Sequence, residues 1–302
     1  MKLKKILPIL GIIAFYLYKK SQKIETNFEE RFVVVTGAST GIGRSIAEEL
    51  SQNGYKVFAT VRKDSDFETL SKLSTNLIPI KMDVTDHDSI IKAKEVIKDY
   101  LGEKKLYSLI NNAGIAVGGP MELINIDEVK RQFDVNYFGV LDTTQIFFDL
   151  LDKNNSKIIN MSSVGGKTAN PFMGAYNSSK FALEAMSDSL RREIFDTNIE
   201  VVVIEPGMIA TPIWDKADEI DIEKYKDSSY VKYMEKAKKH AVDEGRKSAP
   251  VEKVSQRILE VLSRKCNNSR YWVSGNPLLE VFIPRVLPDK LLDFIVKKAL
   301  KS

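Results

Sequence analysis

Arg31-Phe-Val-Val-Val-Thr-Gly37-Ala-Ser-Thr-Gly41-Ile-Gly43 is the stretch of sequence that decides the fold. Its apolar, β-branched run 32–36 is typical of a buried strand, and an amphipathic helix is predicted over 44–53. A glycine-rich turn between such elements lets backbone N–H groups approach a phosphate, and the helix N-terminus adds partial positive charge. The spacing Gly-x-x-x-Gly-x-Gly differs from the common dinucleotide pattern. For this motif alone, a plain glycine-rich turn is the alternative.

Apolar runs alternate with amphipathic segments along most of the 302 residues. The runs are continuous rather than alternating, which is typical of parallel strands covered on both faces. We therefore expect one α/β domain with a doubly wound parallel sheet of about seven strands and a ligand crevice at the carboxyl ends of the strands. The predicted strands are 32–36, 56–61, 77–81, 107–110, 157–161 and 200–204, with a short seventh near 270–273.

Composition excludes several classes of protein. Hydrophobic residues make up 43% and charged residues 28%, which are ordinary values for a globular body, and the net charge of +4 is too small to indicate nucleic-acid binding. Cys266 is the only cysteine, so no intrachain disulfide can form. His87 and His240 lack metal-ligand spacing, and no metal site is predicted.

Tyr176-Asn-Ser-Ser-Lys180 places a phenol and an ammonium four residues apart. On a helix this spacing puts both side chains on one face. Because a free tyrosine has a pKa of about 10, a neighbouring cation that favours the phenolate would bring that pKa toward neutral pH. The motif alone is weak and acquires meaning from the motifs that precede it.

Six motifs follow one another in a fixed order between residues 36 and 207. Together they resemble the classical short-chain dehydrogenase/reductases, strongly over 31–211 and weakly elsewhere. Ser162-Ser-Val-Gly-Gly166 and Ser179-Lys-Phe-Ala-Leu-Glu184 are similar to the retinol and hydroxysteroid dehydrogenase branches. The resemblance implies a Rossmann fold and an oxidoreductase acting on CH–OH groups. The motifs are Thr36-Gly37-x-x-x-Gly41-x-Gly43, Asn111-Asn112-Ala113-Gly114, Asn136, Ser163, Tyr176-x-x-x-Lys180 and Pro206-Gly207.

The resemblance also implies four catalytic roles. Tyr176 would act as the acid/base, and Lys180 would lower its pKa and hold the hydroxyls of the nicotinamide ribose. Ser163, thirteen positions before Tyr176, would hydrogen-bond the reacting oxygen; Ser162 is its rival. Asn136, in the predicted helical segment 133–140, matches the asparagine that supports a water relay to the lysine.

Cofactor contacts are expected from several loops. At the end of the second strand, Thr60 stands where an NAD enzyme usually has an acid, and Arg62 can bind a 2′-phosphate. NADP is therefore predicted, with Asp64 leaving NAD as the alternative. Asp83 matches an adenine contact, although it could instead cap the helix after Asp86. The full predicted set is Gly37, Ser39, Thr40, Gly41, Ile42, Gly43, Arg62, Asp83, Val84, Asn112, Ala113, Gly114, Tyr176, Lys180, Pro206, Gly207, Ile209 and Thr211.

The two ends of the chain differ in character from the body. Residues 1–24 are predicted to be an N-terminal anchor, because 6–18 are apolar and flanked by lysines, and the protein is expected to be membrane-associated. A cleaved signal peptide is the alternative. The catalytic domain is expected over 25–275. Residues 276–302 form an amphipathic tail that could lie on anionic lipid or pack against the body or a second subunit.

The substrate is expected to be lipophilic. A lid is predicted at about 208–248, where Met208, Ile213 and Trp214 would line an apolar pocket. With the anchor, this favours an NADP-dependent oxidoreductase for a retinoid, steroid or long-chain lipid, acting alone or as a homo-oligomer. The alternative is a catalytically silent, membrane-associated nucleotide-binding sensor or scaffold, against which the intact Ser-Tyr-Lys set argues. An extended-branch epimerase fits the glycine spacing poorly.

Overall fold

A seven-stranded parallel sheet forms the centre of the protein, whose computed structural model describes residues 30–212, 214 and 222–301. The strand order β3-β2-β1-β4-β5-β6-β9 confirms the predicted doubly wound sheet within one domain. A separate parallel pair joins β7 to β8. The strands are β1 Phe32–Val35, β2 Lys56–Val61, β3 Leu77–Lys81, β4 Leu106–Asn111, β5 Lys157–Met161, β6 Glu200–Pro206, β7 Ile209–Ala210, β8 Ala249–Pro250 and β9 Arg270–Val273.

Helices cover both faces of this sheet. Alternate residues of β1 point to opposite faces: Val33 and Val35 belong to one core cluster, and Phe32 and Val34 belong to the other. All four are at least 98% buried, which explains why β1 reads as a continuous apolar run. The helices are α1 Gly41–Gln52, α2 Asp64–Ser71, α3 His87–Leu101, α4 Ile126–Phe133, α5 Gly139–Phe147, α6 Gly174–Glu193, α7 Val231–Arg246, α8 Glu252–Ser263, α9 Ile283–Val286 and α10 Asp289–Lys301.

The order of the strands fixes the position of the site. β1 pairs with β2 on one side and with β4 on the other. Successive strands are therefore added in one direction from β1 to β3 and in the opposite direction from β4 onward. In open α/β sheets, ligands bind at the carboxyl edge of the strands at this reversal. The loops after β1, β4, β5 and β6 all meet at that edge, and each carries one of the predicted motifs.

The predicted membrane localisation is wrong on the evidence of the described residues, because none of their helices is long and apolar enough to cross a bilayer. Among the described helices, α6 is the longest, with 20 residues, and it carries charged residues such as Lys180, Glu184 and Asp188. The predicted anchor in 1–24 lies outside the described residues.

Candidate active site

Three glycines shape the turn between β1 and α1. Gly37 and Gly41 have φ values of +66° and +57°, in the left-handed region that favours glycine. A side chain at Gly43 would overlap the carbonyl oxygen of Gly37 and the side-chain amide of Asn112. The turn is therefore a close-packed backbone cradle that other residues cannot form without moving it.

The first turn of α1 opens toward this cradle. Thr40 is the N-cap, and its side chain makes no capping hydrogen bond within the described part of the chain. Free N–H groups at a helix N-terminus bind anions. Thr211 faces the same turn, with its Cβ 3.6 Å from the position a Cβ on Gly41 would occupy. Ser39 is half-buried and Thr40 is exposed, so both hydroxyls border the cradle, and Ile42 packs against the core beneath it. These features fit the pyrophosphate of a dinucleotide.

The loop after β4 fastens the cradle from the other side. The Asn112 side chain donates to the carbonyl oxygens of Thr36 and Gly37 at 2.9 and 3.2 Å. The Thr36 hydroxyl accepts from the backbone N–H groups of Asn112 and Ala113 at 2.9 and 3.0 Å. Asn112 therefore shapes the glycine turn, a role that its motif did not reveal.

Charged and hydroxyl groups meet at the ends of β2 and β3. Arg62 lies 3.8 Å from the Asp83 carboxylate and leaves 67% of its side chain exposed. Thr60 is buried, and its hydroxyl oxygen accepts a hydrogen bond from the backbone N–H of Gly37 at 3.4 Å. The Asp64 carboxylate pairs with Lys81 at 2.6 Å. The structure thus brings Arg62 and Asp83 together beside the cradle and pairs Asp64 with a lysine.

The alternative role of Asp83 as a helix cap is excluded. Asp86 is the N-cap of α3, and its carboxylate accepts from the backbone N–H of Ser89 at 3.2 Å. Asp83 instead accepts from the backbone N–H and hydroxyl of Thr85. The carbonyl oxygen of the neighbouring Val84 lies 2.7 Å from the position that a Cβ on Gly139 would occupy, so a side chain at Gly139 would overlap it.

Lys180 is buried within the site. Its ammonium donates to the carbonyl oxygen of Met161, the last residue of β5, at 2.8 Å. Burial lowers the pKa of Lys180 to about 8, and the carboxylate of Glu184, one turn along α6, opposes this shift. Lys180 is therefore fixed at the carboxyl end of β5.

Tyr176 stands one turn before Lys180 on the same helix. Burial raises the pKa of Tyr176, and a hydrogen bond with the Ser163 hydroxyl opposes that rise. The net direction is opposite to the lowering expected from Lys180, because burial is the largest influence on this pKa and the ammonium bonds to Met161, 5.8 Å from the centroid of the phenol ring. Tyr176 is therefore held as a neutral phenol.

The structure separates the two candidate serines. The Ser163 hydroxyl accepts from the backbone N–H of Gly165 at 3.0 Å and is hydrogen-bonded to the side chain of Tyr176. The Ser162 hydroxyl points instead toward Gly166, and its oxygen lies 2.7 Å from the position that a Cβ on Gly166 would occupy. It has no hydrogen-bond partner among the described residues. The geometry favours Ser163, in agreement with the thirteen-residue spacing.

Asn136 lies in a π-helical segment, Asp134–Phe138, that joins α4 to α5. Such segments are rare and often mark functional sites. The Asn136 side chain accepts from the backbone N–H of Ile115 at 2.9 Å and donates to its carbonyl, and also to the Ser179 hydroxyl at 3.1 Å. A Cβ on Gly114 would lie 3.4 Å from Asn136 Oδ1 and 3.7 Å from Lys180 Nζ, so these three residues converge.

The loop after β6 completes the site. The carbonyl of Pro206 lies 3.4 Å from the Ser163 hydroxyl, and Ile209 is buried where β7 pairs with β8. The Trp214 indole donates to the Ile209 carbonyl at 2.7 Å and packs against Gly245 of α7. Trp214 thus links the loop to the predicted lid region. Ile213, predicted beside it, lies outside the described residues.

The motifs of this chain match a known family. A family model described as short chain dehydrogenase matches residues 31–221. An NADPH-dependent 3-dehydrocapnine reductase of Ornithobacterium rhinotracheale is 39% identical over 90% of this chain and 98% of its own length. A 3-ketodihydrosphingosine reductase of Bacteroides thetaiotaomicron is 30% identical, with coverage of 89% and 97%. Retinol dehydrogenase 7 of Rattus norvegicus is 32% identical, with coverage of 76% and 78%. The chain therefore belongs to the short-chain dehydrogenase/reductase family and is an oxidoreductase.

Proposed function

We propose that this enzyme uses NADPH to reduce an oxo group on a long, apolar molecule to a secondary alcohol. The observation that carries the proposal is the convergence of Ser163, Tyr176 and Lys180 beside the glycine cradle. The names of two relatives, a 3-dehydrocapnine reductase and a 3-ketodihydrosphingosine reductase, both describe a substrate oxidised at carbon 3. A 3-oxo lipid is therefore the substrate class that we favour.

Reduction agrees with the protonation of the site. The pKa of Tyr176 is raised by burial, so the phenol keeps its proton at neutral pH and can give it to a carbonyl oxygen. Ser163, already hydrogen-bonded to Tyr176, is placed to donate to the same oxygen as negative charge develops there. When bound in the glycine cradle, the nicotinamide cofactor would supply the hydride for the carbonyl carbon. Lys180 contributes a fixed positive charge behind the phenol.

The choice of NADPH rests on the end of β2. The exposed Arg62 guanidinium can form a fork on a 2′-phosphate, whereas Thr60 is buried and holds the Gly37 backbone instead of a ribose hydroxyl. Asp64 pairs with Lys81, which reduces its value as a ribose ligand. The NADPH-dependent relative supports the same choice.

Apolar side chains near α6 support a lipophilic substrate. Met121 is 58% exposed and lies against Gly174, at the start of the helix that carries Tyr176. Tyr225 is buried beside Gly119, and Phe172 adopts a φ of +64° where its carbonyl accepts from the Gly119 backbone. An apolar chain entering past these residues would bring its oxo group toward Tyr176.

A cofactor-resolved substrate screen tests the proposal. The purified protein is mixed with NADPH or NADH and with 3-ketodihydrosphingosine, retinal, a steroid ketone or a short ketone, and absorbance at the nicotinamide band is followed. We expect the fastest oxidation with NADPH and the long 3-oxo lipid. Tight NADPH binding without turnover of any carbonyl would contradict the proposal and favour the nucleotide-binding sensor.

A further inference from the structure

The C-terminal segment crosses the end of β6 and contacts the loop that follows it. In the π-helical segment Leu278–Phe282, the Glu280 carboxylate accepts from the backbone N–H of Met208 at 2.8 Å. Its second oxygen accepts from the backbone N–H of Asn276 at 3.2 Å. A side chain at Gly207 would overlap the Glu280 carboxylate, so the glycine of the Pro206-Gly207 motif makes room for this contact.

A second contact reaches the end of β6, just before that loop. Arg285 of α9 forms an ion pair with Glu205, which is fully buried near the end of β6. A buried carboxylate is stable only when it is paired. Within the described part of the chain, the other cation paired with Glu205 is Arg270, whose Nε lies 3.6 Å away.

Arg270 forms its shorter ion pairs with carboxylates other than Glu205. It binds Glu184 at 2.8 Å and Asp188 at 2.9 Å, both on α6, the helix that carries Tyr176 and Lys180. Arg285 is therefore the closer partner of Glu205. Through Glu205 and Arg270, the C-terminal segment is also connected to the catalytic helix.

We propose that Glu280 and Arg285 are positioning residues that hold the loop 206–211 in the shape needed to bind the nicotinamide cofactor. The inference rests on the proposed function. Their two contacts flank Gly207, at Glu205 on one side and at Met208 on the other. The loop itself runs from the Pro206 carbonyl beside Ser163 to Thr211 beside the cradle. The segment 278–286 is thus part of the cofactor site and not a separable tail.

Holding a loop in its binding conformation before the ligand arrives increases affinity, because less conformational entropy is lost on binding. Glu280 makes its contact through a backbone N–H, so its effect is independent of the side chain at position 208. An amide at position 280 keeps an oxygen that can accept the same hydrogen bond, whereas alanine removes it. This difference provides a matched pair of variants.

The experiment combines two readouts on the full chain. Hydrogen exchange of the Met208 amide is measured in the free protein, and the Kd for NADPH is measured by fluorescence titration. For Glu280→Ala we expect at least about tenfold faster exchange and an about tenfold higher Kd, as expected for the loss of one charge-assisted hydrogen bond. Glu280→Gln keeps one acceptor oxygen but loses the charge and the second acceptor, so its values should lie between those of the unmodified protein and Glu280→Ala. Asp293→Ala, which removes an exposed carboxylate from α10, is the control and should change neither value.

The ion pair is tested by removing both charges at once, because Arg285→Met alone would leave Glu205 poorly paired and could unfold the protein. Glu205→Gln/Arg285→Met should also raise the Kd for NADPH. Unchanged Met208 exchange in Glu280→Ala would overturn the inference whatever the assays show, as would an unchanged Kd. Failure of the proposed function looks different: the unmodified protein would reduce no carbonyl while Glu280→Ala still exchanged faster.

Discussion

The Lys180 ammonium lies 5.8 Å from the centroid of the Tyr176 ring and donates its hydrogen bond to the carbonyl of Met161. The two residues are one helical turn apart, but they do not bond to each other. The hydroxyl that contacts Tyr176 is that of Ser163. The Ser163 hydroxyl therefore acts on Tyr176 directly and opposes the rise of its pKa, and Lys180 acts on it as a charge at a distance.

The separation of roles between the serines is testable. Ser163→Ala should lower kcat by about 10²–10³-fold, because it removes a donor to the oxygen on which charge develops. Ser162→Ala is the matched control, since its hydroxyl points toward Gly166. Steady-state kinetics with NADPH and the best substrate give both values. Equal losses in the two variants would contradict the assignment.

The buried Lys180 predicts a pH limit. Its pKa is lowered to about 8, so its charge is present below that pH and is lost above it, well before the pH at which an exposed lysine would titrate. We expect kcat/KM for NADPH to fall above about pH 8. In Lys180→Arg this alkaline decline should disappear, because a guanidinium stays charged, although the absolute rate should be lower. A flat profile in the unmodified protein between about pH 7 and 10 would argue against a charged Lys180 in binding.

Arg62 should determine the choice between the two cofactors. Arg62→Ala removes the charge proposed to bind the 2′-phosphate and should raise the Kd for NADPH by about ten- to a hundredfold, with little change for NADH. Arg192→Ala, which removes an arginine that is 67% exposed on α6, controls for a general loss of charge. Titrations with both cofactors measure the preference. If the preference stays as it was, the phosphate is bound elsewhere.

Gly43 should not tolerate a side chain. Gly43→Ala places a methyl group against the Gly37 carbonyl and Asn112, so the cradle must open and NADPH affinity should fall by at least about tenfold. Gly275→Ala is the control, because the nearest atom to its added Cβ would be at 3.6 Å. Binding is measured by titration, and circular dichroism verifies that both variants fold. Retained affinity in Gly43→Ala would show that the cradle is not the phosphate site.

Sequence patterns predicted the sheet well because burial on both faces leaves a simple signal. β1 is a run of four buried residues, and β2, β3, β5 and β9 have the bounds that were expected. Helix α1 begins at Gly41, three residues before the predicted start, because Thr40 is its N-cap and the last three residues of the glycine motif, 41–43, form its first turn. Local patterns define strands and motifs but set the ends of helices less closely.

What the sequence could not reveal depends on long-range contacts and on burial. Glu280 meets Met208 across 72 positions, and Arg285 meets Glu205 across 80, with no local pattern that links them. The direction of the Tyr176 pKa shift also escaped prediction, since spacing identifies a neighbouring charge but not the desolvation that outweighs it. Asn136 was expected in an ordinary helical segment, 133–140, and lies in a π-helical one.

Proton donation by Tyr176 is tested most directly by Tyr176→Phe, which removes only the hydroxyl from a residue packed in α6. Reduction of the best 3-oxo substrate by saturating NADPH is compared in the two proteins by stopped-flow absorbance, with the Kd for NADPH measured alongside. We predict that the rate falls by at least about 10²-fold while the Kd for NADPH changes little. Equal rates in the two proteins would show that another group supplies the proton and would contradict the account.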